Sequence, residues 1–194
     1  MHKNKLAIFA SGSGTNAENI GRFFANHPLA EVSLILTNKK DAGVILRAEN
    51  LGIPCIKFNR EDFYESERVL TYLKDFKISV IILAGFLWLI PKNLIQNYPK
   101  NIINIHPALL PKYGGKGMYG MHVHETVISN KDAESGITIH YVNEEYDAGS
   151  IIFQAKCKIS VDETPESLAQ KVHALEYENY PKVIEGLLKV KRGT

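Results

Sequence analysis

The chain has 194 residues, of which 45% are hydrophobic, and a formal net charge of +2 at pH 7. This length and composition predict one compact domain with a large core. The mild charge does not favour a nucleic-acid surface, and the most apolar run, residues 80–90, is too short to span a bilayer. Cys55 and Cys157 form no metal or redox motif. We therefore expect reduced thiols in a cytoplasmic protein that binds neither nucleic acid nor membrane.

Short apolar runs alternate with amphipathic segments along most of the chain. The predicted strands are 5–10, 31–37, 54–58, 80–83, 101–105, 136–142 and 149–158. The predicted helices are a segment that ends at Phe24, then 42–51, 61–76, 91–96, 123–129 and a helix from Thr164 to about Glu178, which Pro181 kinks or separates from another. This alternation predicts an α/β fold with a doubly wound, mostly parallel sheet flanked by helices. The last two strands are close enough in sequence to extend the sheet as an antiparallel hairpin.

The turn after the first strand is rich in glycine and reads Ser11-Gly12-Ser13-Gly14-Thr15-Asn16. Glycines let the backbone approach an anion, and the following helix N-terminus offers unpaired N–H groups and a favourable dipole. The motif is not a P-loop, since no Gly-Lys-Ser/Thr follows, and it lacks the third glycine of a dinucleotide fingerprint. It indicates either a phosphate-binding loop or a plain tight turn, in which Asn16 could cap the helix.

Asn104 and His106 stand at the end of the fifth predicted strand, and Pro107 follows them. Side chains two residues apart in a strand point to the same face, and open α/β sheets bind ligands beyond such strand ends. Pro107 biases His106 toward an extended conformation. An amide that stabilises an oxyanion beside an imidazole that moves a proton is the pair that acyl or formyl transfer needs.

Asp147 lies in an acidic turn, residues 143–148, for which two interpretations remain open. Asp-Ala-Gly is ordinary chemistry for a hairpin turn. Alternatively, Asp147 reaches His106, directly or through water, and favours the protonated imidazole. An opposite charge within about 4–6 Å raises the pKa of a histidine.

The histidines His122 and His124, with His140 and Asp132 further along, suggest a metal hypothesis. A catalytic zinc needs three protein ligands, and the Glu-flanked histidine pair of metalloprotease helices is missing, so we expect no metal. We expect His140 to lie on a strand face with a satisfied hydrogen bond. The sequence has no Gly-x-Ser-x-Gly elbow and no histidine close to either cysteine, which argues against covalent catalysis.

Four segments together resemble one enzyme family: Ser11–Asn16, Leu83–Phe86, Asn104–Pro111 and Tyr146–Gly149. They closely resemble the phosphoribosylglycinamide formyltransferases of purine biosynthesis, and the resemblance covers almost the whole chain. Asn-x-His-Pro-x-Leu-Leu-Pro alone is typical of the wider formyltransferase superfamily. That superfamily includes methionyl-tRNA formyltransferase, nucleotide-sugar formyltransferases and formyltetrahydrofolate deformylase. The glycine loop and the short chain favour the glycinamide ribonucleotide enzyme.

The resemblance implies a single Rossmann-like formyltransferase domain over residues 1–194, with a phosphate-binding βαβ half in 1–100 and a catalytic and folate-binding half in 101–194. It implies that a formyl group moves from the co-substrate 10-formyltetrahydrofolate to the amine of 5-phosphoribosylglycinamide, without a metal, in a monomer or homodimer. The implied catalytic residues are Asn104, His106 and Asp147. The implied ribonucleotide-binding residues are Gly14, Thr15, Asn16, Gly85 and Glu176. The implied folate-binding residues are Leu87, Trp88, Leu89, Ile90, Asn104, Asn143, Glu144, Glu145, Tyr146 and Asp147.

Three alternatives remain open: a hydrolase that releases formate from formyltetrahydrofolate, a sugar-nucleotide formyltransferase, and a non-catalytic nucleotide- or folate-binding protein. The chain also departs from the family pattern. Trp88 stands where several relatives have arginine, and we expect it to pack partly in the core. Lys116, in the glycine-rich loop 114–121, either reaches the substrate phosphate or is a solvated loop lysine, and the roles of Arg60 and His173 stay open.

Overall fold

Strands and helices alternate along the chain. The structure, a computed structural model, describes residues 3–193 except for the side chain of Arg192. The strands are β1 Asn4–Phe9, β2 Ala30–Thr37, β3 Cys55–Lys57, β4 Val80–Leu83, β5 Ile102–His106, β6 Glu134–Tyr141 and β7 Ile151–Lys158. The helices are α1 Thr15–Phe24, α2 Val44–Asn50, α3 Arg60–Tyr64, α4 Arg68–Asp75, α5 Lys92–Asn97, α6 Met121–Ser129 and α7 Pro165–Arg192. Over the described residues, none of these helices is long and apolar enough to cross a bilayer.

The seven strands form one sheet in the order β3-β2-β1-β4-β5-β6-β7. Strands β1 to β5 pair in parallel, and β6 and β7 add to the sheet as antiparallel strands. This confirms the predicted mostly parallel sheet with an antiparallel C-terminal extension. The chain runs outward from β1 to β3 and then returns to place β4 on the other side of β1. Ligands of such sheets bind at this switch point, beyond the carboxyl ends of the strands.

The core lies on both faces of the sheet. In β1, Leu6 and Ile8 face one apolar cluster, which includes residues of α1, α2, α6 and α7. Ala7 and Phe9 face the other cluster, which includes residues of α3, α4 and α5. A strand buried on both faces needs apolar residues at successive positions. This is why the central strands read as continuous apolar runs.

The single helix predicted over 61–76 is wrong, because α3 ends at Tyr64 and α4 begins at Arg68. Ser66 lies in the break. Its Oγ donates to the backbone oxygen of Asp62 at 3.2 Å and accepts from the backbone N–H of Arg68 at 3.3 Å. Serine competes with helical backbone hydrogen bonds in this way. The helical periodicity therefore continues in the sequence while the backbone turns.

The last helix does not end at Pro181, since α7 runs without interruption from Pro165 to Arg192. Proline lacks the N–H that would bond the carbonyl four residues earlier. That carbonyl, of Tyr177, instead accepts a hydrogen bond from Asn19 Nδ2 of α1 at 2.9 Å. A donor on a neighbouring helix therefore satisfies the carbonyl, and the prediction of a separate helix is wrong. The predicted start, with Thr164 as the capping residue, is confirmed.

Candidate active site

One cavity of about 620 Å³ opens beyond the carboxyl ends of β1, β4 and β5. Its walls are formed by residues 12–16, 83–90, 104–107, 115–121 and 145–147, with His124, His140, Val142, His173 and Glu176. The cavity lies at the switch point of the sheet, where α/β proteins bind their ligands. It therefore brings together almost all of the site residues that the sequence indicates.

The glycine loop forms one end of the cavity. Gly14 has a left-handed φ of 77°, and a Cβ at this position would lie 2.5 Å from the Cβ of Val44. Gly14 is also the N-cap of α1 and makes no side-chain cap hydrogen bond, so the N–H groups of the first turn stay available to a ligand. The possible capping role of Asn16 is therefore wrong.

Helix α2 holds the glycine loop in place. The backbone N–H of Val44 donates to Gly12 O at 3.2 Å, and Arg47 Nε donates to Ser13 O at 2.8 Å. Arg47 also pairs with Glu18, in the first turn of α1. These contacts hold the loop in place through its carbonyl groups, without help from a ligand.

Three polar side chains from two helices meet at this end of the cavity. Asn16 Nδ2 donates to Glu176 Oε2 at 2.8 Å, and His173 Nδ1 lies 3.0 Å from the same oxygen. Glu176 is buried, while the side chain of His173 is 52% exposed. The hydrogen bond to Glu176 raises the pKa of His173. His173 therefore adds positive charge to this end as pH falls.

Gly85 and Ser11 join the loops that follow β4 and β1. Ser11 N–H donates to Gly85 O at 3.0 Å, and Gly85 takes a φ of 71° that favours glycine. Ser11 Oγ donates to Asn38 Oδ1 at 2.7 Å and accepts from the N–H of Leu87 at 3.1 Å. Ser11 thus positions the segment 85–90, a role that its place in the glycine loop did not indicate.

The other end of the cavity is apolar. Leu87, Trp88, Leu89 and Ile90 line it, as does Tyr146 from the opposite side. Trp88 also packs against Phe58, Phe63 and Phe86, so the predicted partial packing is confirmed. The guanidinium of Arg60 lies 5.7 Å from the centre of the Trp88 ring and 5.1 Å from that of Tyr64. Arg60 thus stands beside this apolar end as a stacked cation.

Only part of the acidic turn, residues 143–148, lines the cavity, although residues 143–147 are all expected to bind the folate. Glu145, Tyr146 and Asp147 line the cavity, whereas Asn143 and Glu144 do not. Asn143 Oδ1 accepts the N–H of Glu145 at 3.1 Å, and Glu144 pairs with Lys92 at 3.6 Å. Asn143 therefore shapes the turn, and Glu144 interacts outside the cavity.

Asn104 lies opposite His140 where β5 pairs with β6. His140 Nδ1 lies 2.9 Å from the carbonyl oxygen of Tyr141, which can only accept, so in the neutral ring Nε2 is the acceptor. Asn104 Nδ2 donates to this Nε2 at 3.0 Å and contacts Asp147 Oδ1 at 3.4 Å. Two acceptors therefore hold the amino group of Asn104 toward Asp147. The expected strand-face position of His140, with a satisfied hydrogen bond, is confirmed.

His106 is 4% exposed and has a different partner at each ring nitrogen. Nε2 lies 2.6 Å from Tyr113 O, so Nε2 carries the proton, and Nδ1 lies 3.5 Å from Asp147 Oδ2. Asp147 thus reaches His106 directly, and its charge favours the protonated ring, as one of the two interpretations of the acidic turn predicts. Burial lowers the pKa of His106 by more than Asp147 and the Tyr113 carbonyl raise it. The ring is therefore neutral at neutral pH, with Nδ1 available to accept a proton.

Asp147 links the histidines to the glycine-rich loop. Its backbone has a φ of 53°, and its Oδ2 accepts the N–H of Gly115 at 3.0 Å. Burial raises the pKa of Asp147, but contacts with His140, His106 and the Gly115 N–H together bring it below its usual value. Asp147 therefore stays ionised and can stabilise a proton that arrives on His106.

The histidines considered as metal ligands lie apart. His122 is exposed on α6 near Glu125, whereas His124 is buried on the same helix. Within residues 3–193, no group of three or more His, Cys, Asp or Glu side chains could hold a metal ion.

The fold and the site define an α/β protein whose cavity joins a glycine-rich loop at a helix N-terminus to an amide–imidazole–carboxylate cluster. A family model described as formyl transferase matches residues 4–184. The chain therefore belongs to the formyl transferase family.

Individual relatives indicate which members of that family the chain resembles. Phosphoribosylglycinamide formyltransferase of Bacillus subtilis is 37% identical over 189 residues, which cover 95% of this chain and 94% of the relative. The chloroplastic enzyme of Arabidopsis thaliana is 40% identical over 94% of this chain, and that match spans 64% of the plant protein. The crystal structure of phosphoribosylglycinamide formyltransferase from Bacillus halodurans superposes with a TM-score of 0.85, at 37% identity over 95% of each chain.

Proposed function

We propose that this protein transfers the formyl group of 10-formyltetrahydrofolate to the amine of 5-phosphoribosylglycinamide, a step of purine biosynthesis. The observation that carries the proposal is the contact of Asn104, His106 and Asp147 within one cavity. The name shared by the bacterial relatives of nearly equal length supports it. The proposal includes small-molecule partners, a cytoplasmic location and a monomer or homodimer.

The two substrates occupy opposite ends of the cavity. The ribonucleotide phosphate binds the first-turn N–H groups of α1 beyond Gly14, and its sugar lies toward Glu176. The pterin lies in the apolar slot formed by residues 87–90 and Tyr146, a lining that suits a flat ring. Residues from both halves of the chain, 1–100 and 101–194, line each end of the cavity. The division of the chain at residue 100 into two halves stays a prediction.

The catalytic cluster handles one proton and one developing negative charge. The amine nitrogen attacks the formyl carbon. Asn104 Nδ2 then loses its 3.4 Å contact with Asp147 and donates a hydrogen bond to the oxyanion instead. His106 Nδ1 takes the proton that the attacking nitrogen loses. It returns that proton to N10 of the folate as the carbon–N10 bond breaks. Asp147, 3.5 Å from Nδ1, stabilises the transient imidazolium.

The test follows the absorbance change on deformylation of 10-formyltetrahydrofolate, with and without the ribonucleotide. We expect turnover only with the ribonucleotide. In Asp147→Asn we expect kcat to fall about 10²–10³-fold, the range for loss of one electrostatic stabiliser, while the ribonucleotide KM changes little. The matched control is Glu134→Gln, which neutralises an exposed carboxylate at the distant start of β6.

Each other outcome has a defined meaning. Formate release without an acceptor would identify a hydrolase, and turnover only with an amino sugar nucleotide would identify the sugar-nucleotide enzyme. Ligand binding without any turnover would indicate a binding protein. An Asp147→Asn variant with near-normal kcat would contradict the electrostatic role of Asp147.

A further inference from the structure

His124 is a buried polar side chain that the proposed chemistry does not use. It lies on α6, is 3% exposed and lines the cavity. Its Nδ1 is buried and has no hydrogen-bond partner among the described residues. Buried polar atoms are almost always hydrogen-bonded, so an unpartnered nitrogen on a residue that lines the cavity indicates a partner that the chain itself does not supply.

The neighbours of His124 place it at the ribonucleotide end. Its ring lies within electrostatic range of His173 and Glu176, which stand at that end of the cavity with Asn16. Burial lowers the pKa of His124, His173 and His106 lower it further, and Glu176 opposes them. The ring is therefore neutral at neutral pH and offers one donor and one acceptor. This chemistry suits a hydroxyl group better than a phosphate dianion.

A second unpaired atom lies at the same end. Asn16 Oδ1 is buried without a partner among the described residues, while its Nδ2 is bound to Glu176. Asn16 Oδ1 and His124 Nδ1 are both uncharged, and the α1 N-terminus beside Asn16 already provides donors for an anion. The pair therefore adds hydroxyl-binding capacity next to the anion site.

We propose that His124 hydrogen-bonds a hydroxyl of the ribonucleotide sugar and so sets the affinity for this substrate. This inference rests on the proposed function, because it assigns a residue to the same substrate. His124 acts in binding, whereas His106 moves the proton. Its loss therefore changes the ribonucleotide KM and leaves kcat nearly unaltered.

Two variants separate hydrogen bonding from packing. His124→Phe keeps a flat ring and removes both nitrogens, and His124→Asn keeps a polar atom near the position of Nδ1. We expect His124→Phe to raise the ribonucleotide KM about tenfold, the effect of losing one hydrogen bond. The KM for the formyl folate and kcat should stay within about twofold, the scale of a minor change. His124→Asn should recover most of the loss.

The matched control is His122→Phe, the same substitution at an exposed position of α6. It should leave both KM values unchanged. Thermal unfolding of each variant shows whether the fold is kept. A His124→Phe protein that folds and has the wild-type ribonucleotide KM would overturn the inference, as would a His124→Asn protein no better than His124→Phe.

Binding of simple probes identifies the contacted group without turnover. Calorimetry with ribose 5-phosphate should show about tenfold weaker binding to His124→Phe, whereas inorganic phosphate should bind both proteins equally. Equal loss for the two probes would overturn the assignment to a sugar hydroxyl. If the wild-type protein turns over with the ribonucleotide and His124→Phe behaves like the wild type, the inference about His124 is refuted and the proposed function stands. Wild-type protein that binds neither ribonucleotide nor ribose 5-phosphate would refute both proposals.

Discussion

Replacing Thr138 with valine removes a hydroxyl that anchors the segment following His106. Thr138 is fully buried on β6, directly opposite His106. Its Oγ1 donates to Ala108 O at 2.7 Å and accepts from the N–H of Leu110 and from Gln154 Nε2, both at 2.9 Å. Valine has nearly the same shape, so the substitution changes hydrogen bonding and leaves packing almost intact.

The expected magnitude follows from the groups that lose their partner. Ala108 O and the N–H of Leu110 are left unpaired in the core, whereas Gln154 keeps its bond to Leu110 O at 3.0 Å. Each unsatisfied buried backbone group costs about 1–2 kcal/mol. We therefore expect the free energy of unfolding to fall by about 3 kcal/mol. In a chain of this size that lowers Tm by about 6–12 °C.

Urea unfolding followed by circular dichroism measures this change directly. Thr126→Val is the control, because Thr126 bonds only locally, to the carbonyl of His122 on α6, and its loss should cost under about 0.5 kcal/mol. In Thr138→Val we also expect lower kcat, since displacing a catalytic group by about 1 Å costs about 10²-fold. A stability loss below about 0.5 kcal/mol would refute the assigned role of the hydroxyl.

Two further predictions concern the glycine loop and the pH dependence of stability. Gly14→Ala should cost more than about 2 kcal/mol of unfolding free energy, because of its left-handed φ and the contact with Val44. Gly12→Ala, with open space around the added Cβ, should be nearly neutral, and similar losses in urea unfolding of the two variants would contradict this explanation. Burial lowers the pKa of His106 below its usual 6.5, so the unfolded state binds more protons than the folded state. The free energy of unfolding should therefore fall as pH drops below about 6.5, and it should fall less steeply in His106→Asn. Equal slopes of unfolding free energy against pH for the two proteins would show that His106 does not titrate this way.

Local sequence determined the type of fold. Buried strands need continuous apolar runs and surface helices need a repeating apolar face, and both patterns depend only on neighbouring residues. The same locality holds for Asn104 and His106, because two positions along a strand share a face whatever the rest of the chain does. Local patterns also placed Gly14 at a tight turn before a helix.

Only the tertiary structure decided which groups meet and in which protonation state. Asp147 and His140 join Asn104 across more than 30 positions of sequence, and Asn19 keeps α7 continuous past a proline. The neutral state of His106 depends on burial, which outweighs the charge beside it. Such effects arise from distances between remote segments and from the exclusion of water, so no local pattern encodes them.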